Sequence, residues 1–132
     1  MHLLLTQIDR QQFEQRLRER RIALRMEIRE ALLRAGNERY ADIVGQLQDT
    51  QDHALAALLA DVTYADVARD TQEISDIEGA LGRLATGTYG ACTQCEANIP
   101  LARLDAYPTA KRCLPCQQAH EKAGRKAHPA PD

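Results

Sequence analysis

The chain has 132 residues; 44% are hydrophobic but only 4% aromatic, with one Phe and no Trp. Charged residues make up 27%, mixed in sign, for a formal net charge of −2. These values exclude a thick aromatic core, speak against a basic duplex-DNA binder and favour Ala- and Leu-rich helices packed along a narrow seam, with a protein as the first partner to consider. The longest central apolar run, residues 54–60, is far too short to cross a bilayer. The start, Met1-His2-Leu3-Leu4-Leu5, lacks the basic region and long apolar stretch of a signal peptide. The expected location is the cytoplasm, where thiols stay reduced and paired cysteines bind metal or do redox work more often than they form disulfides.

The first predicted element is a long helix. Thr6-Gln7-Ile8-Asp9 reads as a capping box, with Thr6 as N-cap and Asp9 at the third helical position. No Gly or Pro follows until Gly36. Leu17, Leu24 and Ala31 recur every seven residues, with Ile28 and Ala35 offset by four, which is a heptad seam. Many arginines of this stretch alternate with Glu19, Glu27 and Glu30 and read as a solvated face with i,i+4 pairs. Gly36-Asn37 supplies a left-handed stop.

A short helix over about 38–47 follows, interrupted or ended near Gly45. A second long helix is expected over about 52–85, with Ala60, Val67, Ile74 and Leu81 on one seam position and Thr63, Asp70, Ile77 and Leu84 on the other. Thr86-Gly87 ends it. Each long helix is roughly 30 residues, about 45 Å at 1.5 Å per residue, and matching stripes predict an antiparallel coiled-coil hairpin. Arg21 and Asp70 fall on the seam and break its apolar pattern. A last helix is expected over about 114–123, with Pro115 in its first turn and Gly124 at its end.

The most specific signal is Cys92-Thr-Gln-Cys95, seventeen residues, then Cys113-Leu-Pro-Cys116. Two such pairs close one tetrahedral zinc site from two facing knuckles. Four thiolates leave no open position, so one structural Zn2+ is expected and no catalytic one. Two redox-active dithiols are the competing explanation, but no thioredoxin-like strand-to-helix unit surrounds them. Gly90 suits the tight approach to the first knuckle, whereas Glu96 occupies a knuckle position that often takes Gly. The expected architecture is therefore mainly α: a helical hairpin over 1–87 with its tip at about 36–54, a zinc module with C-terminal helix over 88–124, and a disordered tail over 125–132.

Two other groups invite a functional interpretation. At the far end of the hairpin stand Asp49, Asp52 and Ala54; Asp52 alone is accounted for as a helix N-cap, but two acids three apart on a thin arm can also probe a partner's cavity. No pocket is expected around them, so they make no enzyme. Arg103, Lys111, Arg112 and Lys122 cluster around the cysteines and read either as solvated charge or as a docking face for an acidic protein surface.

Taken together, the run from Gly87 to Cys95, the stretch from Ile99 to Ala110 and Cys113-Leu114-Pro115-Cys116-Gln117 resemble the zinc module of the DksA/TraR family. The preceding hairpin is similar to the coiled coil of its DksA branch, and Asp49, Asp52 and Ala54 match that branch's D-x-x-D-x-A tip motif. The resemblance implies a monomeric, non-enzymatic transcription factor that binds bacterial RNA polymerase directly, without sequence-specific DNA binding. It implies that the coiled coil enters the secondary channel, that the acidic tip reaches towards the active centre, and that the zinc module rests at the rim through residues such as Arg103, Lys111, Arg112 and Lys122. Members that respond to the alarmone ppGpp use basic residues where this chain has Asp76, Tyr107 and Gln117, which implies action independent of ppGpp. A zinc-stabilised adaptor of another complex and a thiol-based redox sensor remain as alternatives.

Overall fold

A computed structural model describes residues 5–46 and 64–127. Among them lie five helices: α1 (Gln7–Arg34), α2 (Glu38–Gln46), α3 (Ala65–Thr86), α4 (Leu101–Ala106) and α5 (Leu114–Ala127). The only extended pairing among the described residues is one antiparallel bridge, Ala91 with Asn98. None of these helices is long and apolar enough to cross a membrane.

The local signals explain the ends of α1. The Thr6 hydroxyl accepts from the Asp9 N–H at 3.0 Å, and the Asp9 carboxylate accepts from the Thr6 N–H at 3.1 Å, so two orphan donors of the first turn are satisfied reciprocally. At the other end the Asn37 N–H returns to the Leu32 carbonyl at 2.8 Å, and Gly36 takes φ +78°, where a Cβ would be strained. The chain then reverses into α2, which packs back on α1 and buries Ala41 and Val44.

Helices α1 and α3 pair antiparallel. Arg20 contacts Glu73 and Glu27 contacts Asp70, so ascending positions on one helix meet descending positions on the other. The seam is made by Phe13, Leu17, Leu24, Ile28 and Leu32 against Val67, Ile74, Ile77 and Ala80, all buried. Val67, Ile74 and Ile77 occupy the predicted heptad positions; Ala31 is only half-buried and Ala35 is exposed. Leu81 and Leu84 pack on this core but stay partly accessible.

Two findings depart from the expected layout, and one expectation falls outside the described residues. Helix α5 does not stop at Gly124 but runs through it to Ala127, so 125–127 are helical and not tail. Gly in a helix interior costs only about 1 kcal/mol, which the residues on either side of Gly124 outweigh. Helix α4, inside the zinc loop, had no sequence signal beyond Pro100 at its N-cap. The stretch 52–63 of the expected second helix, with Ala60 and Thr63 of its seam, lies outside the described residues.

The polar residues of the seam are buried. Arg21 is 5% exposed and Asp70 8%. Burial, then hydrogen bonding and repulsion from Glu27, raise the Asp70 carboxyl above its ordinary 3.8. A raised carboxyl favours the folded state only while protonated, so that contribution is full below 3.8 and is lost as pH rises through the folded value. Asp70→Asn should therefore melt higher than the wild type at neutral pH, with the gap closing below pH 3.8, in paired thermal melts. Leu24, with no exposed surface, should lose about 2–5 kcal/mol on truncation to Ala in urea titrations, whereas Ile22→Ala, on the solvated side of α1, should stay within about 0.5 kcal/mol.

Candidate metal centre

The four cysteines come together from two knuckles. The first is a tight turn: the Cys92 N–H donates to the Ala97 carbonyl at 2.8 Å, the Glu96 N–H to the Cys92 carbonyl at 2.9 Å and the Ile99 N–H to the Gly90 carbonyl at 2.8 Å. Glu96 closes this turn at φ +66°. A non-glycine residue there carries a penalty of roughly 1–2 kcal/mol, the physical reason why that position often takes Gly. The second knuckle precedes α5, whose first turn contains Cys116, and the Gln117 N–H bonds the Cys113 carbonyl at 2.9 Å. A bond from the Thr93 N–H to the Lys111 carbonyl at 2.8 Å ties one knuckle to the other.

The four Sγ atoms lie within 4.8 Å of one another, and Cys95 and Cys113 approach to 3.7 Å. A tetrahedral zinc with bonds of about 2.3 Å separates its sulfurs by about 3.8 Å, so the donor set has the right size for that ion. The Gln94 N–H points at the Cys92 sulfur at 3.4 Å. Burial opposes ionisation of Cys92, but backbone N–H groups of Cys95, Cys113 and Gln94 directed at the sulfur prevail and bring the thiol down to about 6. Cys116 moves the other way, to about 12, chiefly because it shares hydrogen bonding with Cys113. Four thiols this close cannot all ionise without a cation, which is what a zinc ion supplies. The site fits one structural Zn2+, held by Cys92, Cys95, Cys113 and Cys116.

Around the metal the module buries Tyr89, Cys92, Ile99, Leu104 and Ala110. This small core is continuous with the hairpin. The Phe13 and Tyr89 rings meet at 5.5 Å, and Leu5 fills the space beside Gly90, where a Cβ would come within 2.9 Å of the Leu5 side chain. Arg16 reaches across from α1 to the Asp105 carboxylate at 3.0 Å and the Asp105 carbonyl at 2.7 Å while lying over the Phe13 ring. The Tyr89 hydroxyl donates to the Pro108 carbonyl at 2.7 Å. Leu5, Phe13, Arg16 and Asp105 had escaped the sequence reading, since contacts up to 89 positions apart leave no periodic trace.

The basic residues divide. Arg103 is half-buried, its Nε–H donating to the Arg112 carbonyl at 3.2 Å and its guanidinium lying over Tyr107. Arg112 is also half-buried, Lys111 is exposed, and Lys122 is exposed further along α5. Asp76, Tyr107 and Gln117 converge on one cavity, together with Arg83, Arg103, Lys111 and Arg112. Asp49, Asp52 and Ala54 lie outside the described residues.

Helical hairpin and four-cysteine module together define a zinc-finger protein built on a coiled coil. Residues 87–122 match the prokaryotic dksA/traR C4-type zinc finger. The RNA polymerase-binding transcription factor DksA of Caulobacter vibrioides is 34% identical over 93 residues, 70% of this chain and 61% of that protein. An uncharacterized protein of Haemophilus influenzae is 34% identical over 82 residues, 62% of this chain and 96% of its own length. The structure of transcription factor DksA2 from Pseudomonas aeruginosa superposes with a TM-score of 0.61 at 27% identity, covering 90% of this chain and 88% of that one. The chain belongs to the DksA/TraR family. Its match spans about three-fifths of the Caulobacter relative.

One zinc per chain is expected by elemental analysis. Burial raises the Tyr89 phenol to about 12 against an ordinary 10.0. Chelation of the metal should release it, so that absorbance at alkaline pH shows one tyrosine moving from about 12 back towards 10.0. Cys95→Ser should produce the same shift without chelator.

Proposed function

We propose that this protein is a non-enzymatic transcription factor that binds bacterial RNA polymerase directly. The observation that carries the proposal is the joint between module and hairpin. A zinc-shaped base is locked to a helical pair through Phe13, Tyr89, Arg16 and Asp105, and the same architecture extends over 88% of DksA2. The naming of the Caulobacter relative as RNA polymerase-binding supports the choice of partner. The formal net charge of −2 supports a protein target in place of DNA phosphates.

In this mechanism the hairpin enters the secondary channel and presents Asp49, Asp52 and Ala54 near the polymerase active centre. Arg103, Lys111, Arg112 and Lys122 rest on the channel rim. The tip carboxylates act by differential contact: a factor shifts promoter-complex stability only if it binds one polymerase state better than another. The protein works as a monomer in the cytoplasm, and it acts without ppGpp, because Asp76, Tyr107 and Gln117 provide no cation to that nucleotide's phosphates.

Asp52→Asn should bind polymerase as the wild type does yet lose the effect on initiation, measured by in vitro transcription from a ribosomal promoter. Adding ppGpp should leave the factor's own contribution unchanged. Normal regulation by Asp52→Asn would remove the tip from the mechanism.

A further inference from the structure

The cavity at the meeting of α3, the 107–112 loop and the start of α5 has a volume of about 370 Å³. Its walls carry four permanent cations, Arg83, Arg103, Lys111 and Arg112, and one carboxylate, Asp76. Each of the arginines has a neutral oxygen as its hydrogen-bond acceptor, and Arg103 also lies over the Tyr107 ring. Arg83 donates to the Thr109 carbonyl at 3.4 Å, Arg103 to the Arg112 carbonyl at 3.2 Å and Arg112 to the Gln117 side chain at 3.3 Å. None of the four cations joins an ion pair among the described residues. The Arg112 Nε is buried without a hydrogen-bond partner. Burial lowers the Arg83 guanidinium from its ordinary value by more than Tyr89 and Asp76 raise it, as for a cation in a partly dry place.

One lining group has the opposite sign. Asp76 and Arg83 lie seven residues apart on α3, but the Arg83 guanidinium turns back to the level of Gly79, and the Asp76 charge acts on it. Tyr107, 52% exposed, also lines the cavity. A phosphate chain would present anionic oxygens along its whole length and meet Asp76 as a like charge. A peptide has both signs of hydrogen-bonding group: its carboxylate side chain suits the guanidinium forks, and its backbone N–H groups suit Asp76 and the Gln72 amide.

The geometry points to this cavity as a socket for an aspartate or glutamate side chain projecting from a protein partner. The socket stands on charge and shape alone; that the partner is RNA polymerase rests on the function proposed above. Lys111 is the residue to test, because it is exposed and its side chain joins no ion pair among the described residues.

The zinc-loaded, isotope-labelled chain would be titrated in NMR at constant ionic strength with capped tetraglutamate peptide and, separately, with inorganic pyrophosphate. The peptide is expected to shift the amides of residues 109–112 and the Arg83 side-chain N–H saturably, and more tightly than pyrophosphate does. Lys111→Glu should weaken the peptide about tenfold. Tighter binding of pyrophosphate, or peptide shifts unchanged in both Lys111→Glu and Arg83→Gln, would overturn the socket. In a parallel assay Lys111→Glu should weaken binding to core RNA polymerase about tenfold, with zinc content and melting unchanged. Polymerase binding equal to wild type would remove polymerase as the partner of the socket and Lys111 from the proposed rim contact, while leaving direct polymerase binding itself standing. Peptide binding by a wild-type chain that ignores polymerase would do the reverse.

Discussion

The joint between the zinc module and the helical pair is the constraint on which the rest of the molecule depends. The module buries only Tyr89, Cys92, Ile99, Leu104 and Ala110, too few side chains to fold a unit of this size by burial alone. Zinc supplies the missing cohesion by holding two knuckles that share a single backbone tie, from Thr93 to Lys111. Rigidity at the knuckles then becomes rigidity at the hairpin base, because Tyr89 sits against Phe13 and Asp105 is gripped by Arg16. The Arg16–Asp105 ion pair is exposed and weak as a pure charge contact, yet its second bond, to the Asp105 carbonyl, fixes the C-terminal end of α4 in direction.

Beyond the joint, the hairpin trades packing for specificity. An all-apolar seam would hold α1 and α3 together more tightly but would tolerate sliding by a heptad. Buried Arg21 and Asp70, and the bidentate Arg20–Glu73 pair with bonds of 2.8 and 3.1 Å, penalise such a slip. Asp70 beside Glu27 is an expensive version of this device, since a buried carboxylate there faces a like charge. Register sets the distance from the zinc module to the far end of α1, so a modest loss of stability is consistent with the geometry.

Much of this was legible in the residues. Periodicity located α1 and the core positions Leu17, Leu24, Ile28, Val67, Ile74 and Ile77, because a helix repeats its face every three to four residues. Thr6–Asp9 and the left-handed Gly36 and Gly87 marked ends, because capping chemistry is local. Cysteine spacing located the metal for the same reason: each knuckle is a short turn. What stayed hidden was non-local. Leu5 against Gly90, Phe13 against Tyr89 and the convergence of Arg83 with the 107–112 loop join distant positions through tertiary geometry alone. The stop assigned to Gly124 failed because one glycine's cost is small against the helical residues flanking it.

A closed four-thiolate zinc has no position for substrate or water, so whatever the protein does, its metal contributes shape and not chemistry. The same restraint extends to the hairpin, whose buried groups are engaged in packing and register. Action must therefore come from surfaces held at fixed separation, and the basic cavity lies on the rigid side of the joint, lined by α3, α5 and the loop that zinc organises. A socket there changes little in shape when the partner arrives, so little ordering cost is subtracted from its contacts. Movement of the base by even one helical turn would displace the far end of the 28-residue α1 by a comparable distance. Metal, joint and register thus serve one requirement, that the distance from the zinc module to the far end of α1 be set by the fold itself.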